Sequence, residues 1–239
     1  MQVPGDISCK FTVEVSDHPV PLAVLGTGVV GRTLSARWVE LGHDVVIGAR
    51  DPVATLARRG DESFASWAQR HPSVDILDHA SAVSRAPMVV NATNGAASLA
   101  VLREVGPERL AGKVLIDVAN PLDFSGGMPP TLSVKDTDSL GEQLQRALPD
   151  TRVVKTLNTV TADLMVHPDL LTEAGSLFVS GNDDDAKGAV TDLLTSMGHR
   201  DIIDLGDIST ARGTEMVLAL WVRLMTALGT SHFNIKIVR

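Results

Sequence analysis

The sequence predicts an α/β protein of the Rossmann type: a doubly wound, mostly parallel sheet with helices on both faces and a small C-terminal helical elaboration. Three observations predict it. Short apolar runs alternate with segments of helical spacing along most of the chain. A glycine-rich turn, Gly26–Gly31, follows the first run and opens the first helical segment. The composition, 44% hydrophobic and 21% charged over 239 residues, is that of a globular chain.

The individual elements follow from the same patterns. Short apolar runs, typical of strands buried on both faces, predict strands at 21–25, 45–47, 87–90, 113–118, 153–157, 176–179 and 201–205. Helical spacing and capping residues predict helices at 29–41, 52–59, 62–70, 96–105, 139–147, 183–197 and 209–229. We also expect an edge strand at 11–15 and a terminal strand at 234–238. The predicted domains are an N-terminal extension (1–20), a dinucleotide-binding Rossmann domain (21–150) and a smaller C-terminal substrate or dimerisation region (151–239).

Composition excludes several classes of function. The net charge is −8 and no basic block stands out, which argues against a nucleic-acid partner. A single cysteine excludes a disulfide framework and a multi-cysteine zinc site, and no other metal-ligand spacing is present. The absence of tyrosine excludes any mechanism that uses a tyrosine acid. No apolar run is long enough to cross a membrane and no signal-peptide pattern opens the chain, so we expect a cytoplasmic protein with no membrane partner.

The glycine-rich turn predicts a dinucleotide site. Gly26 permits the tight turn, Gly28 leaves room for a pyrophosphate, and Gly31 lets helix and strand approach closely. The helix start then offers free N–H groups to the phosphates. Nineteen residues later, where an NAD site carries an acidic residue, the chain has Arg50, which favours the 2′-phosphate of NADP. The alternative for Arg50 is a surface pair with Asp51. The predicted contacts here are Gly26, Thr27, Gly28, Val29, Val30, Gly31 and Arg50.

Polar clusters follow three later strands, at 91–95, 117–122 and 157–160. Ligands of open α/β sheets bind at the carboxyl ends of the strands, so we expect these clusters to line the nicotinamide pocket. For any single cluster the alternative is a turn with its own local hydrogen bonds. The predicted cofactor contacts are Asn91, Ala92, Thr93, Ala119, Asn120 and Asn158, with Asn158 and Thr159 near the nicotinamide.

No general acid or base is recognisable. The histidines fall in helix starts, loops or apparent surface stretches and are expected to be structural, while Lys155 lies inside a predicted buried strand as a less favoured functional candidate. Hydride transfer between two rings fits this absence, because the cofactor carries the chemistry and the protein supplies position. The apolar helix at 209–229 either packs on its own core or forms a homodimer interface.

Four segments, 25–32, 41–52, 153–160 and 178–185, together resemble the coenzyme F420-dependent NADP reductases. The resemblance implies a dimeric Rossmann enzyme that passes hydride between NADP(H) and coenzyme F420, a deazaflavin co-substrate. It places Thr27, Ala49 and Arg50 at the 2′-phosphate, and residues 120–122 and 158–160 near the ring stack. The acidic tail of coenzyme F420 would need a basic groove, for which the candidates are Arg212, Arg223, Lys236 and Arg239.

Two alternatives stay open. The first is an imine or carbonyl reductase of the pyrroline-carboxylate-reductase type, which needs a proton donor; Lys155, Thr159 or a water are the candidates. The second is a redox-sensing NADP-binding protein without turnover, in which the space for an acceptor ring would be closed. Open space beside the nicotinamide position would favour an enzyme.

Overall fold

A computed structural model describes residues 19–239 of the chain. The predicted strand at 11–15 and nearly all of the predicted extension (1–20) lie outside the described residues. The strands are β1 Leu22–Leu25, β2 Val45–Ala49, β3 Asp75–Asp78, β4 Met88–Asn91, β5 Val114–Asp117, β6 Leu122–Asp123, β7 Thr131–Leu132, β8 Arg152–Lys155, β9 Ser176–Gly181 and β10 Asp201–Asp204. The helices are α1 Val29–Glu40, α2 Pro52–Ala57, α3 Phe64–Arg70, α4 His79–Ser84, α5 Gly95–Val105, α6 Pro107–Leu110, α7 Leu140–Ala147, α8 Ala162–Val166, α9 Asp184–Ser196 and α10 Ala211–Leu228.

Eight strands form one sheet in the order β10-β9-β8-β5-β4-β1-β2-β3. Neighbouring strands are parallel except at β8–β9, so β9 and β10 run against the other six. Two apolar clusters cover the sheet, one on each face, because the central strands are buried on both sides. The predicted Rossmann-type fold, mostly parallel with helices on both faces, is thereby confirmed.

Some element predictions need correction. The edge strand β3 and helix α4 were not predicted, because β3 is short and begins and ends with an exposed aspartate. The predicted strand at 234–238 is not a strand, although this segment contacts Ser176 at the start of β9. The Ile235 carbonyl accepts from the Ser176 N–H at 2.8 Å, Asn234 Nδ2 donates to the Ser176 carbonyl at 3.2 Å, and the Ile237 N–H donates to Ser176 Oγ at 2.9 Å. The small antiparallel pair β6–β7, in the segment after β5, was also not predicted.

The C-terminal helix is the longest element of the described chain. A short 3-10 turn, Ile208–Thr210, leads into α10, and Gly229 ends it in the left-handed region at φ 66°. The buried side of α10 packs on α7, which belongs to the first predicted domain. The sheet likewise continues across residue 150, so the division into domains there stays a prediction.

None of the helices in the described part of the chain is both long and apolar enough to span a bilayer.

Candidate active site

A cleft runs along the carboxyl ends of the strands and has two halves. The glycine-loop half, about 340 Å³, lies between the loop after β1, the end of β2 and the start of α4. The strand-end half, about 420 Å³, lies between the loops after β4, β5 and β8 and one side of α10. Ala92, Thr93 and Asn94 line both halves, so the two form one elongated groove across the first βαβ crossover. An elongated groove at this place in the fold suits a dinucleotide.

The glycine loop has the geometry that close approach of a phosphate requires. Gly26 has φ 126°, and a Cβ there would lie 2.4 Å from the Ala92 carbonyl oxygen. A Cβ on Gly31 would lie 2.2 Å from the Gly26 oxygen, so both positions need glycine for packing. A Cβ on Gly28 would meet no atom within 4 Å. Gly28 therefore faces open space at the N-terminus of α1, which no side chain of the described residues caps and whose first turn holds no acidic residue.

Arg50 and Asp51, at the end of β2, have different surroundings. The Asp51 carboxylate accepts from the Ala54 N–H at 2.8 Å and caps α2. Arg50 is exposed, lines the glycine-loop half, and forms no salt bridge with any residue from 19 to 239. The alternative of an Arg50–Asp51 surface pair is therefore not what the structure contains. Arg58 lines the same half of the cleft.

Two asparagines join the loops of the strand-end half. Asn120 Nδ2 donates to the Asn158 carbonyl at 2.8 Å, and Asn158 Nδ2 donates to Asn120 Oδ1 at 3.0 Å and to the Thr214 carbonyl of α10 at 3.1 Å. The residue before Asn158, Leu157, is buried in the left-handed region at φ 60°, a conformation that non-glycine residues seldom adopt and that recurs at functional sites. Both asparagines line the cleft, and their mutual bonds fix the orientation of its polar wall.

A buried charge cluster lies behind this wall. Lys155 Nζ lies 2.8 Å from Asp117 Oδ2 and 3.0 Å from Glu215 Oε1, and it also donates to the Ala119 carbonyl. Burial alone would lower the pKa of Lys155, but the two carboxylates outweigh it and raise that pKa, so the ammonium is charged at neutral pH. Glu215 also accepts from the N–H groups of Leu140 and Gly141 at the start of α7. The cluster thus fastens α10 to the strand ends.

The sequence-predicted site residues divide into those that line the cleft and those that lie behind it. Lining the cleft are Gly26, Thr27, Gly28, Val29, Val30, Ala49, Arg50, Ala92, Thr93, Ala119, Asn120 and Asn158. Gly31 is buried beneath the loop. Asn91 is also buried: it donates to Asp117 and accepts from the Thr93 hydroxyl at 2.6 Å, so it orients a lining residue and does not itself face the cleft. Thr159 and Lys155 are buried and do not line the cleft either.

Sequence reasoning missed several lining residues. Leu218 and Trp221 reach the strand-end half from α10, far along the chain, and Phe124 and Met165 complete its apolar wall. The Trp221 indole N–H is buried and has no hydrogen-bond partner among the described residues. His79 lines the glycine-loop half, whereas it was expected to be structural. Gly95, by contrast, belongs to the predicted cluster at 91–95 and does line the strand-end half; a Cβ there would lie 1.9 Å from the Asn120 carbonyl oxygen.

Three of the four basic residues considered for an acidic co-substrate tail are already paired. Arg212 binds Glu142, with Nε 2.8 Å from Oε2. Lys236 lies 2.6 Å from Glu173, and Arg239 lies 2.8 Å from Asp201. Arg223 is exposed on α10 and forms no ion pair within residues 19–239.

Comparisons with known proteins identify the family of this chain. Residues 21–121 match the family model described as NADP oxidoreductase, coenzyme F420-dependent. The chain is 29% identical over 230 residues to human metalloreductase STEAP2, covering 92% of this chain but 41% of that protein. It therefore spans about two fifths of the length of the first curated relatives it matches. The F420-dependent NADP reductase of Methanocaldococcus jannaschii is 26% identical over 209 residues, with 85% of this chain and 91% of that protein covered.

A solved structure from Arthrobacter sp. FB24, described as a candidate F420-dependent NADP reductase, is 56% identical and superposes with a TM-score of 0.90. The match covers 92% of this chain and 100% of that one. Identity at this level over nearly the whole of both chains, together with the family model, shows that the chain belongs to the family of F420-dependent NADP reductases.

Proposed function

We propose that this protein is an NADP(H)-dependent oxidoreductase that transfers hydride between NADPH and a small ring acceptor, with coenzyme F420 as the first candidate. The observation that carries the proposal is the single groove from Arg50 to α10, with the uncapped start of α1 between its two ends. Its glycine-loop half suits the adenosine 2′-phosphate and pyrophosphate, and its strand-end half suits two stacked rings.

The residues present fit NADP(H) better than NAD(H). Because Asp51 is occupied in capping α2, no carboxylate at the end of β2 is free to hold a ribose diol in the way an NAD site does. The Arg50 guanidinium has no anionic partner among the described residues, and a planar guanidinium can bind a phosphate through two hydrogen bonds. Thr27 and Arg58 line the same half and would add a hydroxyl and a second cation.

The strand-end half fits a reaction in which the protein moves no proton. When bound, the nicotinamide supplies or receives the hydride. Asn120 and Asn158 offer neutral amides to ribose or carboxamide groups, while Leu218 and Trp221 give the opposite wall an apolar surface that excludes water. The open volume beside these residues supports an enzyme over a sensor without turnover, since it leaves room for an acceptor ring.

The imine- or carbonyl-reductase alternative requires a proton donor at the ring. Lys155 is enclosed by Asp117, Glu215 and the Ala119 carbonyl, and Thr159 is buried away from the cleft. Of the three candidate donors, Lys155, Thr159 and water, only water is left, so the geometry favours an acceptor that needs hydride alone.

The direct test is anaerobic mixing of the purified protein with NADPH and coenzyme F420 while the deazaflavin absorbance is followed. We expect the absorbance to fall in proportion to NADPH consumed. Flavin, quinone and cyclic imine acceptors in parallel would reveal a different preference, and reduction of the imine alone would contradict the deazaflavin assignment. Gly28→Val is the matched inactive control, because a Cβ at this position would meet no protein atom within 4 Å and the side chain would fill the space proposed for the pyrophosphate.

We further propose that two copies associate through α10. Along one side of this helix Met216, Leu220 and Leu228 are 37%, 55% and 57% exposed, a run of apolar residues that a second copy would cover. The absence of a nucleic-acid partner and the cytoplasmic location stay predictions from the sequence.

A further inference from the structure

Among residues 19–239, His79 is the one histidine that lines the glycine-loop half of the cleft, and nothing in the proposed reaction uses it. It is the first residue of α4, directly after the edge strand β3, and its helix is capped by Asp78, which accepts from the Ser81 N–H at 2.9 Å. The side chain is half-buried, and a Cβ added to Gly48 of β2 would lie 3.2 Å from His79 Cδ2. The imidazole therefore packs against the backbone of β2 and forms part of the floor of the cleft.

The charges around His79 come from three elements. Burial lowers the pKa of His79 below its usual value; Glu104 of α5 opposes this, Arg50 at the end of β2 adds to it, and Asp78 opposes it weakly. A lowered pKa keeps the imidazole neutral at physiological pH, and a neutral imidazole has one ring nitrogen free to accept a hydrogen bond. Neither ring nitrogen forms a hydrogen bond within the described chain.

The other residues of this half suggest which part of the ligand His79 meets. Ala97 and Val101 of α5 give this half an apolar side, against which an aromatic base can pack. The phosphate-binding groups, Thr27, Arg50 and Arg58, lie toward the glycine loop and α2. His79 is near enough to both Glu104 of α5 and Arg50 at the end of β2 for each charge to shift its pKa, so it lies between the α5 side and the Arg50 end of this half. Because its imidazole is neutral, it offers a base a hydrogen-bond acceptor but offers a phosphate no charge.

From these positions we infer that His79 is a cofactor-recognition residue that accepts a hydrogen bond from the 6-amino group of the adenine base. This inference rests on the proposed NADP(H) site and adds a base-reading contact to it. The contact serves NADPH and NADH alike, unlike that of Arg50. A neutral hydrogen bond to a base contributes modestly, and its loss weakens binding about three- to ten-fold.

The test measures dissociation constants by calorimetry for NADPH, NADH and an NADPH analogue in which unsubstituted purine replaces adenine. The variants are His79→Phe, which keeps a ring against Gly48, and His79→Gln, which keeps an acceptor. We expect the wild type to prefer NADPH over the purine analogue about three- to ten-fold, His79→Phe to lose that preference and to weaken NADPH and NADH equally, and His79→Gln to restore part of it.

The remaining outcomes overturn the inference. Equal discrimination against purine in the wild type and in His79→Phe would assign His79 a structural role only. A loss confined to NADPH that grows as the pH falls would assign it to the 2′-phosphate. A wild-type protein that binds no dinucleotide would instead overturn the proposed function, and thermal melting of each variant separates loss of contact from loss of fold.

Discussion

Two neighbouring residues at the end of β2, Asp51 and Arg50, carry the proposed preference for NADP(H) over NAD(H). Asp51 stands within one position of the place where an NAD site carries its acid, yet its carboxylate accepts from the Ala54 N–H and caps α2. Arg50, one residue earlier, keeps a free guanidinium at the rim of the cleft. From the sequence alone, these two residues could form either a surface ion pair or a phosphate site. The helix cap distinguishes the two, because it engages the Asp51 carboxylate and leaves Arg50 unpaired within residues 19–239.

Arg50→Ala should weaken NADPH binding about ten- to a hundred-fold and leave NADH binding within about two-fold, because charge-assisted hydrogen bonds to the 2′-phosphate are lost only with NADPH. Calorimetric titration with both nucleotides measures this. Arg59→Ala is the matched control, since Arg59 is an exposed arginine of the same region that does not line the cleft. An equal loss for NADPH and NADH would remove the 2′-phosphate role.

The position of helix α10 depends on contacts with residues that are remote in sequence. Glu215 accepts from two N–H groups at the start of α7, and it pairs with Lys155 of β8, whose Nζ lies 3.0 Å from Glu215 Oε1. Thr214, one residue before Glu215, accepts from the cleft residue Asn158. The position of Leu218 and Trp221, one and two turns further on, is therefore fixed by a buried polar cluster, which is more demanding of geometry than an apolar contact would be.

Lys155→Met should lower the free energy of unfolding by about 3–5 kcal/mol, because it leaves the buried Asp117 and Glu215 carboxylates without their cation. Urea unfolding measures the change. Lys187→Met is the matched control: its partners Asp184 and Asp204 are exposed to solvent, and we expect a loss below about 1 kcal/mol. A loss below about 1 kcal/mol in both variants would mean that the buried ion pairs of Lys155 do not stabilise the fold.

At the scale of the whole molecule, the elements that have a local sequence pattern could be predicted from the sequence. The features that depend on contacts between distant segments could not. The glycine loop and the buried strands β1 and β4 carry their own signals, apolar runs and glycines at fixed spacing. The reversal of β9 and β10 leaves no such signal, because a short apolar run predicts a strand without showing the direction in which it runs. His79 of α4 and Trp221 of α10 could not be assigned to the cleft either, because only tertiary contacts bring these two helices to it.

Helix α10 should also mediate the proposed association of two chains. In a two-fold interface each substitution occurs twice, so Leu220→Lys would bring two buried cations into the same contact and raise the dimer dissociation constant by about a hundred-fold or more. Sedimentation equilibrium of the wild type and the variant measures this. Val53→Lys is the matched control, because Val53 is an 80% exposed apolar residue on α2, outside the proposed interface. A wild-type chain that sediments as a monomer at every concentration, or a Val53 variant that dissociates as readily as the Leu220 variant, would contradict association through this face of α10.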